Sequence, residues 1–340
     1  MRARVGINGL GRIGRDVLRG IVERDERAFQ VVAVNDVAPM TTLAHLLRRD
    51  STYGRWGHQV EVAGDYLAID EESIHTSQEP DPARLNWSGL DVDIVVDATG
   101  RFRTGEQASA HLAAGASKVI LTAPAIGVDT TVVMGVNHDQ YDPSAHHVIS
   151  NASCTTNCAA PMAQVLHESF GIVEALLTTV HSYTPDQNLL DGPHKDLRRA
   201  RAAAINIIPT STGAARAVGQ VLPELDGRLD GVALRVPVVD ASLVDLTARL
   251  AEPVTVGQVN RAFTTAADGP LKGILRCTTD PVVSHDVIGE NASCLLDLGL
   301  TQVVGDLVKV FGWYDNEWGY AQRTIDLVEL VTHTLPRADR

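Results

Sequence analysis

Lysine is nearly missing from this chain. Only Lys118, Lys195, Lys272 and Lys309 occur in 340 residues, so arginine carries most of the positive charge. Acidic residues outnumber basic ones 42 to 29, a formal charge of −13. That balance argues against nucleic acid or an anionic membrane as a general partner. An anionic ligand must be held by a local cationic site. Cysteine is scarce as well, with four residues, two of them inside one short motif. This excludes a disulfide framework and points to a reducing, cytoplasmic setting. No apolar run reaches membrane-spanning length, and Met1-Arg-Ala-Arg-Val-Gly-Ile-Asn-Gly9 enters a strand and turn at once. Neither a signal peptide nor a membrane anchor is therefore expected. Hydrophobic residues at 44% and charged residues at 21% suffice for an ordinary globular core, and the length suggests two domains.

Up to residue 150, short apolar runs alternate with helical patterns. Strands are expected at Arg4–Asn8, Val31–Val34, Asp93–Asp97, Lys118–Thr122, Val132–Val136 and Val148–Ser150. Between them, helices are expected at Gly11–Arg24, Thr41–Arg49 and around Gly105–Ala114. Continuous Val/Ile runs separated by helices indicate parallel strands buried on both faces, the pattern of a doubly wound sheet. Beyond Cys154 longer β-type segments appear: Ala175–His181, Gly231–Val238, Ser242–Arg249, Leu295–Leu298 and Leu307–Trp313. The chain closes with a helical pattern from Asn316 to His333. The fold class is thus α/β: a Rossmann-type doubly wound parallel sheet plus an α+β catalytic domain with a mostly antiparallel or mixed sheet. The boundaries expected are 1–152, completed by a C-terminal helix over 317–335, and 153–316. The second domain includes a long polar excursion, 182–204, of a length that is usually functional or part of an interface.

Two motifs carry chemistry. Gly9-Leu-Gly11-Arg-Ile-Gly14 fits G-x-G-x-x-G directly after a strand and opens a helix. Glycines there allow a tight turn and let backbone approach a pyrophosphate seated on the helix N-terminus. Asp36 ends the next strand 22 residues beyond Gly14, where a carboxylate accepts hydrogen bonds from a ribose and repels a 2′-phosphate. NAD is favoured over NADP. The second motif is Asn151-Ala-Ser-Cys154-Thr-Thr-Asn-Cys158, with His181 27 residues beyond Cys154. It places a cysteine at the start of a helix expected over Thr155–Glu168. First-turn N–H groups and the helix dipole favour a thiolate, and a nearby imidazolium would favour it further. Cys158, one turn on, reads as packing. A Cys-x₃-Cys pair without clustered His makes a poor zinc site, so no metal is expected.

The chain resembles the phosphorylating glyceraldehyde-3-phosphate dehydrogenases along nearly its whole length. The resemblance is carried by Gly6-Ile-Asn-Gly-Leu-Gly-Arg-Ile-Gly-Arg15, Met134-Gly-Val-Asn-His138, Ser150-Asn-Ala-Ser-Cys-Thr-Thr-Asn-Cys158 and His194-Lys-Asp-Leu-Arg-Arg-Ala-Arg201. It continues through Ile208-Pro-Thr-Ser-Thr-Gly-Ala-Ala215 and Trp313-Tyr-Asp-Asn-Glu-Trp-Gly-Tyr320. It implies that Cys154 attacks an aldehyde to give a thiohemiacetal and that His181 takes the hydroxyl proton as hydride leaves for NAD. Inorganic phosphate would then cleave the thioester. Arg235, Thr184 and Asp186 match the family's site for the phosphate of glyceraldehyde 3-phosphate. Ser153, Thr155, Thr212 and Gly213 match the site for attacking phosphate, with Arg198 in the loop between. On the cofactor side the resemblance assigns Asn8, Gly9, Gly11, Arg12, Ile13, Gly14 and Asp36 to the adenosine and pyrophosphate. Thr99, Gly100 and Thr122 would line the far side, and Asn316 and Tyr320 the nicotinamide. It also implies a homotetramer, with the long loop against a neighbour's cofactor.

Several positions depart from the family pattern. Leu10 replaces a common Phe, and Asp191-Gly-Pro-His194 stands where NAD-specific relatives usually have Asp-Leu-Pro-His. Pro193 and Asp36 speak for NAD, whereas Gly192 removes bulk near the ribose. Val238 stands where Thr is frequent, and His285 and Glu290–Cys294 also deviate. Two alternatives within the enzyme class are a D-erythrose 4-phosphate dehydrogenase, disfavoured by the intact Thr210-Ser-Thr-Gly213 block, and an inhibitor-insensitive paralogue. A non-enzymatic binding role has least support, because every chemical group remains, and no basic patch suggests RNA.

Overall fold

The computed structural model describes residues 2–335, which divide into two compact units: residues 2–132, 139–152 and 321–335, and residues 133–138 and 153–320. In the first, β1 (Ala3–Asn8) leads through α1 (Arg12–Val22) to β2 (Phe29–Asn35) and α2 (Met40–Arg48). A short ladder of β3 (Arg49–Asp50) and β4 (Gly54–Arg55) precedes the antiparallel meander β5 (Val60–Ala63), β6 (Tyr66–Ile69) and β7 (Glu72–Ser77). Then come β8 (Ile94–Asp97), α3 (Gly105–Ala113), β9 (Lys118–Leu121), β10 (Thr130–Thr131) and β11 (Val148–Ser150). The sheet order is β10-β11-β9-β8-β1-β2-β7-β6-β5, parallel from β10 to β7. Val5, Ile7, Ile94, Val95, Val96, Val119 and Ile120 are wholly buried, as strands covered on both faces require. The order reverses at β1, with β2 on one side and β8 on the other, so the carboxyl end of β1 is a topological switch point.

The second unit opens with α4 (Cys154–Phe170) and β12 (Ile172–Ser182). There follow β13 (Ile208–Ser211), α5 (Ala214–Val221), β14 (Leu229–Val236), β15 (Ser242–Leu250) and α6 (Val256–Asp268). The unit ends with β16 (Leu275–Thr278), β17 (Cys294–Asp297), β18 (Gln302–Val304) and β19 (Leu307–Tyr314), before α7 (Trp318–Thr334). Its sheet runs β13-β14-β12-β15-β19-β17-β16, mostly antiparallel, with β12/β14 and β16/β17 parallel. Strict alternation buries Val244, Leu246 and Ala248 on β15 and Val308 and Val310 on β19. The buried face packs against α4, whose Ala159, Ala160, Met162, Ala163 and Leu166 are almost without exposed surface.

The α/β class and the mixed second sheet are as the sequence suggests. Residues Val132–Val136 are not a strand. The strand is only Thr130–Thr131, and the Val132 N–H reaches the Ser150 carbonyl at 2.8 Å. The chain then turns: Gly135 takes φ +85°, Val136 and Asn137 donate their N–H groups to the Val133 carbonyl, and the Asn137 side chain accepts from Val133 N at 2.8 Å. The meander β5–β7 was not legible, because its strands are short and mix apolar with charged residues. The closing helix starts at Trp318 rather than Asn316, since Asp315 Oδ1 accepts the N–H groups of Glu317 (2.9 Å) and Trp318 (2.7 Å).

Gly312 on β19 gives α4 its close seat. A Cβ there would lie 2.5 Å from Met162 Sδ, 2.7 Å from Cys294 Sγ and 3.1 Å from Cys158 Sγ. Cys158 is fully buried with its thiol toward Met162 Sδ (3.9 Å) and the Gly312 carbonyl (3.6 Å), a packing role. Gly312→Ala is therefore expected to lower unfolding stability by about 1–3 kcal/mol through overpacking. Chemical denaturation with an unchanged m-value checks this, and an unaltered midpoint would contradict it.

Candidate active site

Cys154 is the first residue of α4, and its neighbours explain why the helix starts there. Ala152 sits at φ +54°, an unusual conformation for a residue with a Cβ, with its N–H on Ser150 Oγ at 3.1 Å. The chain reverses at that point. Ser153 is the N-cap: its Oγ accepts from Thr156 N at 3.0 Å and contacts Thr156 Oγ1 at 2.7 Å. Cys154 Sγ is thus held half-buried at a helix N-terminus, 3.5 Å from His181 Nε2.

His181 lies near the end of β12, directly opposite Arg235 in the parallel pairing with β14. Its Nδ1 is 2.8 Å from the Ser182 carbonyl, which can only accept, so Nδ1 carries the ring proton. Nε2 then presents a lone pair to the thiol. The ring packs edge-on to Tyr314, centroids 6.0 Å apart. Tyr314 OH in turn lies 2.9 Å from both Thr155 Oγ1 and Thr179 Oγ1, and burial pushes its phenol well up. Thr155 is thereby buried and bonded inward.

Burial is also the largest influence on the reacting pair. It outweighs the pull of the Arg235 charge and leaves the Cys154 thiol up at about 11. Burial and the Arg235 charge together bring His181 down to about 3. This differs from the expectation of a thiolate favoured by the helix terminus. Charging either partner beside a neutral other is costly in this enclosed site. Passing the proton from Sγ to Nε2 instead creates two opposite charges in contact, which offsets both burial costs. The pair is therefore a proton-sharing unit in which a neutral imidazole turns its Nε2 lone pair to the thiol.

Around it lies a cationic cluster. Arg235 Nη1 donates to Thr184 Oγ1 at 2.7 Å and to the Ser182 carbonyl at 3.2 Å, and stands 4.0 Å from Asp186. Asp186 also takes the Thr184 hydroxyl and the Arg199 guanidinium. Burial acts to raise its carboxyl pKa, but Thr184, Arg235 and Arg199 outweigh it and hold it below the usual carboxylate range. Arg199 further donates from Nε to Thr210 Oγ1 at 3.0 Å and from Nη2 to the Ser211 carbonyl at 3.3 Å. The structure therefore brings Arg199 into this cluster, while Arg198 is exposed. The sequence could not separate adjacent arginines in a segment without regular periodicity. Ser153 and Thr212 both cap local backbone, Thr212 Oγ1 accepting from Ala214 N at 3.1 Å, and Gly213 is the exposed N-cap of α5 with open space where a Cβ would stand. Asn316 Oδ1 accepts hydroxyls from Ser182 (2.9 Å) and Ser242 (2.7 Å), which orients its amide. Neither serine had a sequence signal. Tyr320, in the first turn of α7, is buried.

In the first unit the glycine turn has the shape a dinucleotide needs. Gly9 takes φ +93°, a Cβ on Gly14 would lie 1.9 Å from the Gly9 carbonyl oxygen, and Gly11 faces open space at the uncapped N-terminus of α1. Asp36 Oδ2 accepts from Leu10 N at 2.7 Å and Oδ1 from Ala38 N at 2.8 Å. Arg12 binds Asp50 through Nη1 at 2.9 Å, so its guanidinium has a protein partner as well as any ligand. Ile13 is half-buried behind it. Asn8 is turned inward: Nδ2 donates to Asp97 at 2.8 Å and Oδ1 accepts from Asn35 at 2.8 Å. Thr99 Oγ1 donates to Asp97 at 2.7 Å, Gly100 takes φ +63°, and Thr122 Oγ1 donates to the Asp97 carbonyl at 3.2 Å. Asn8, Thr99 and Thr122 thus shape the turns with their side chains.

A doubly wound parallel sheet with a glycine turn, and a helix-capped cysteine paired with histidine, suit a dinucleotide-linked oxidoreductase that uses a thiol. Comparison with known proteins narrows the class. Residues 3–105 match the model of the glyceraldehyde 3-phosphate dehydrogenase NAD binding domain, and residues 153–316 that of the C-terminal domain. The glyceraldehyde-3-phosphate dehydrogenase of Geobacillus stearothermophilus is 56% identical over 97% of this chain and 98% of its own. Those of Streptomyces coelicolor and Mycobacterium leprae are 54% and 53% identical, each over 98% of this chain and all of their own. The chain belongs to the glyceraldehyde-3-phosphate dehydrogenase family.

The shared proton is open to direct measurement. His181→Asn removes the acceptor, and the thiol must then ionise unaided against burial. The pH midpoint for iodoacetamide alkylation of Cys154 is expected to move upward, with at least a tenfold slower rate at neutral pH. An identical profile in the variant would overturn the coupling.

Proposed function

We propose that this chain is an NAD-dependent, phosphorylating dehydrogenase that converts D-glyceraldehyde 3-phosphate and inorganic phosphate to 1,3-bisphosphoglycerate. The observation that carries the reading is the orientation of the Cys154–His181 pair, with an unprotonated Nε2 3.5 Å from Sγ beside a cationic cluster. Cys154 Sγ adds to the aldehyde carbon, giving a thiohemiacetal. His181 Nε2 takes the hydroxyl proton as the carbonyl re-forms, leaving a thioester on Cys154. NAD, when bound, accepts the hydride released in that oxidation. Inorganic phosphate then attacks the thioester carbon, and the acyl phosphate departs as Cys154 recovers its thiol form.

Chain groups suit each task. The open Gly11 position and uncapped α1 N-terminus fit a pyrophosphate, and the Asp36 carboxylate fits a ribose diol without a 2′-phosphate. Asn316 keeps its amide N–H donors for the nicotinamide carboxamide, because Ser182 and Ser242 hold only its oxygen. Arg235, Thr184, Asp186 and Arg199 suit the binding of phosphate oxygens. Backbone N–H groups at Gly213 and the hydroxyls of Ser153 and Thr212 complete the anion-binding set. A four-carbon sugar phosphate is the second substrate candidate, and the intact Thr210–Gly213 segment favours the three-carbon one.

Self-association into a homotetramer is supported by exposed Leu189, Leu190 and Leu197 in the loop and by exposed Leu176 and Val232 on the second sheet. Among the described residues no helix is long and apolar enough to cross a membrane.

Steady-state NAD reduction with D-glyceraldehyde 3-phosphate tests the reading. Turnover should require inorganic phosphate and disappear in Cys154→Ser, and phosphate-independent activity would overturn it. In the same assay Arg199→Ala should raise KM for substrate or phosphate at least tenfold, about 1.4 kcal/mol of lost charge-assisted hydrogen bonding. Arg198→Ala should change it less than twofold. The reverse ranking would return the role to Arg198.

A further inference from the structure

A buried polar chain behind the glycine turn has no part in the chemistry above. Asp97, at the carboxyl end of β8, has four donors on one carboxylate. Oδ1 accepts from Thr99 N (3.1 Å) and Thr99 Oγ1 (2.7 Å), and Oδ2 accepts from Asn8 Nδ2 (2.8 Å) and contacts His111 Nε2 (3.1 Å). His111, on α3, is completely buried, and Asp97 and Asn8 are nearly so. The other ring nitrogen settles the tautomer. Trp87 Nε1 lies 3.0 Å from His111 Nδ1, and an indole N–H can only donate. Nδ1 is therefore the acceptor, the ring proton sits on Nε2, and that proton goes to Asp97. Asn8 Nδ2 and His111 Nε2 lie 3.4 Å apart because both donate to the same oxygen. The tryptophan is fixed too, since its ring packs over Gly6, where a Cβ would be 2.9 Å from Cζ3.

Asp97 joins two turns. Asn8 precedes Gly9, Thr99 precedes Gly100, and the turns touch: a Cβ on Gly9 would lie 2.9 Å from Thr99 N. With NAD bound at the glycine turn, the spacing of these turns would set where backbone N–H groups meet the pyrophosphate.

We propose that His111 is a positioning residue for the dinucleotide, its Nε2–H holding Asp97 so that the Asn8–Gly9 and Thr99–Gly100 turns keep their spacing. The proposal rests on the assignment of the glycine turn to NAD. Without the Nε2 donor, the Asp97 carboxylate loses one of four partners in a buried site and shifts toward the others, carrying both turns with it. Trp87 serves to fix the tautomer. Glutamine can replace the Nε2 donor, whereas asparagine places its amide nearer the Nδ1 position and serves only the indole.

The test measures the Kd for NAD by isothermal titration of the whole protein, with melting temperature and circular dichroism as fold controls. His111→Phe should weaken binding at least tenfold, the loss falling on KM for NAD rather than on turnover at saturation. H111Q should bind within threefold of the native chain, and H111N should resemble H111F. Should H111F not fold, the H111Q and H111N comparison decides. Equal affinities for those two, or native affinity in H111F, would overturn the positioning role. An absence of NAD binding by the native chain would instead overturn the cofactor assignment on which the role rests.

Discussion

A 3.5 Å contact between a thiol and an imidazole is the constraint on which the second unit depends. Enclosure raises the cost of a lone thiolate and of a lone imidazolium. Together they can share one proton. That arrangement requires a helix to begin at Cys154 and a strand to end near His181, and the local structure meets both demands. The Ser153 cap fixes the helix start, the Ser182 carbonyl fixes the ring proton, and Gly312 lets α4 settle against the sheet. The parallel β12/β14 pairing then places Arg235 opposite His181, so the groups suited to chemistry and to anion binding arise from one strand register.

The first unit follows a comparable logic with different parts. Its demand is close backbone approach, met by glycine at three positions and by a buried carboxylate at a strand end. A carboxylate without surface exposure is stable only when its oxygens are saturated with donors, and Asp97 has four. The resulting polar chain through Asn8, His111 and Trp87 ties the turns to the apolar packing of Leu85, Val92 and Val95 behind them.

Periodic segments were the most legible. The buried Val/Ile runs of β1, β8, β9 and β11 and the apolar stripe of α1 fall where the pattern places them, within a few residues. Irregular segments were not. The Val132–Val136 run looked like a strand because it is apolar, yet Gly135 and Asn137 close a turn there. The loop from 182 to 204 has no period, so nothing in it could tell Arg198 from Arg199. Cys154, His181 and the glycine turn were legible because their chemistry needs particular residue types at particular offsets from a helix start.

The sequence by itself determined the class of fold, the candidates for nucleophile and base, and the preference for NAD, because each rests on local pattern or on residue identity. Tertiary structure decided what those residues do with their polar atoms. It turned Asn8 and Thr155 inward, brought Arg199 to Asp186 in the cationic cluster and buried His111 against Asp97. It also set the cost of burial against the stabilisation that a helix terminus offers a thiolate. The physical reason is common to all of these. Hydrogen-bond partners and desolvation come from residues far apart in the chain, and only the folded arrangement brings them within 3 to 4 Å of one another.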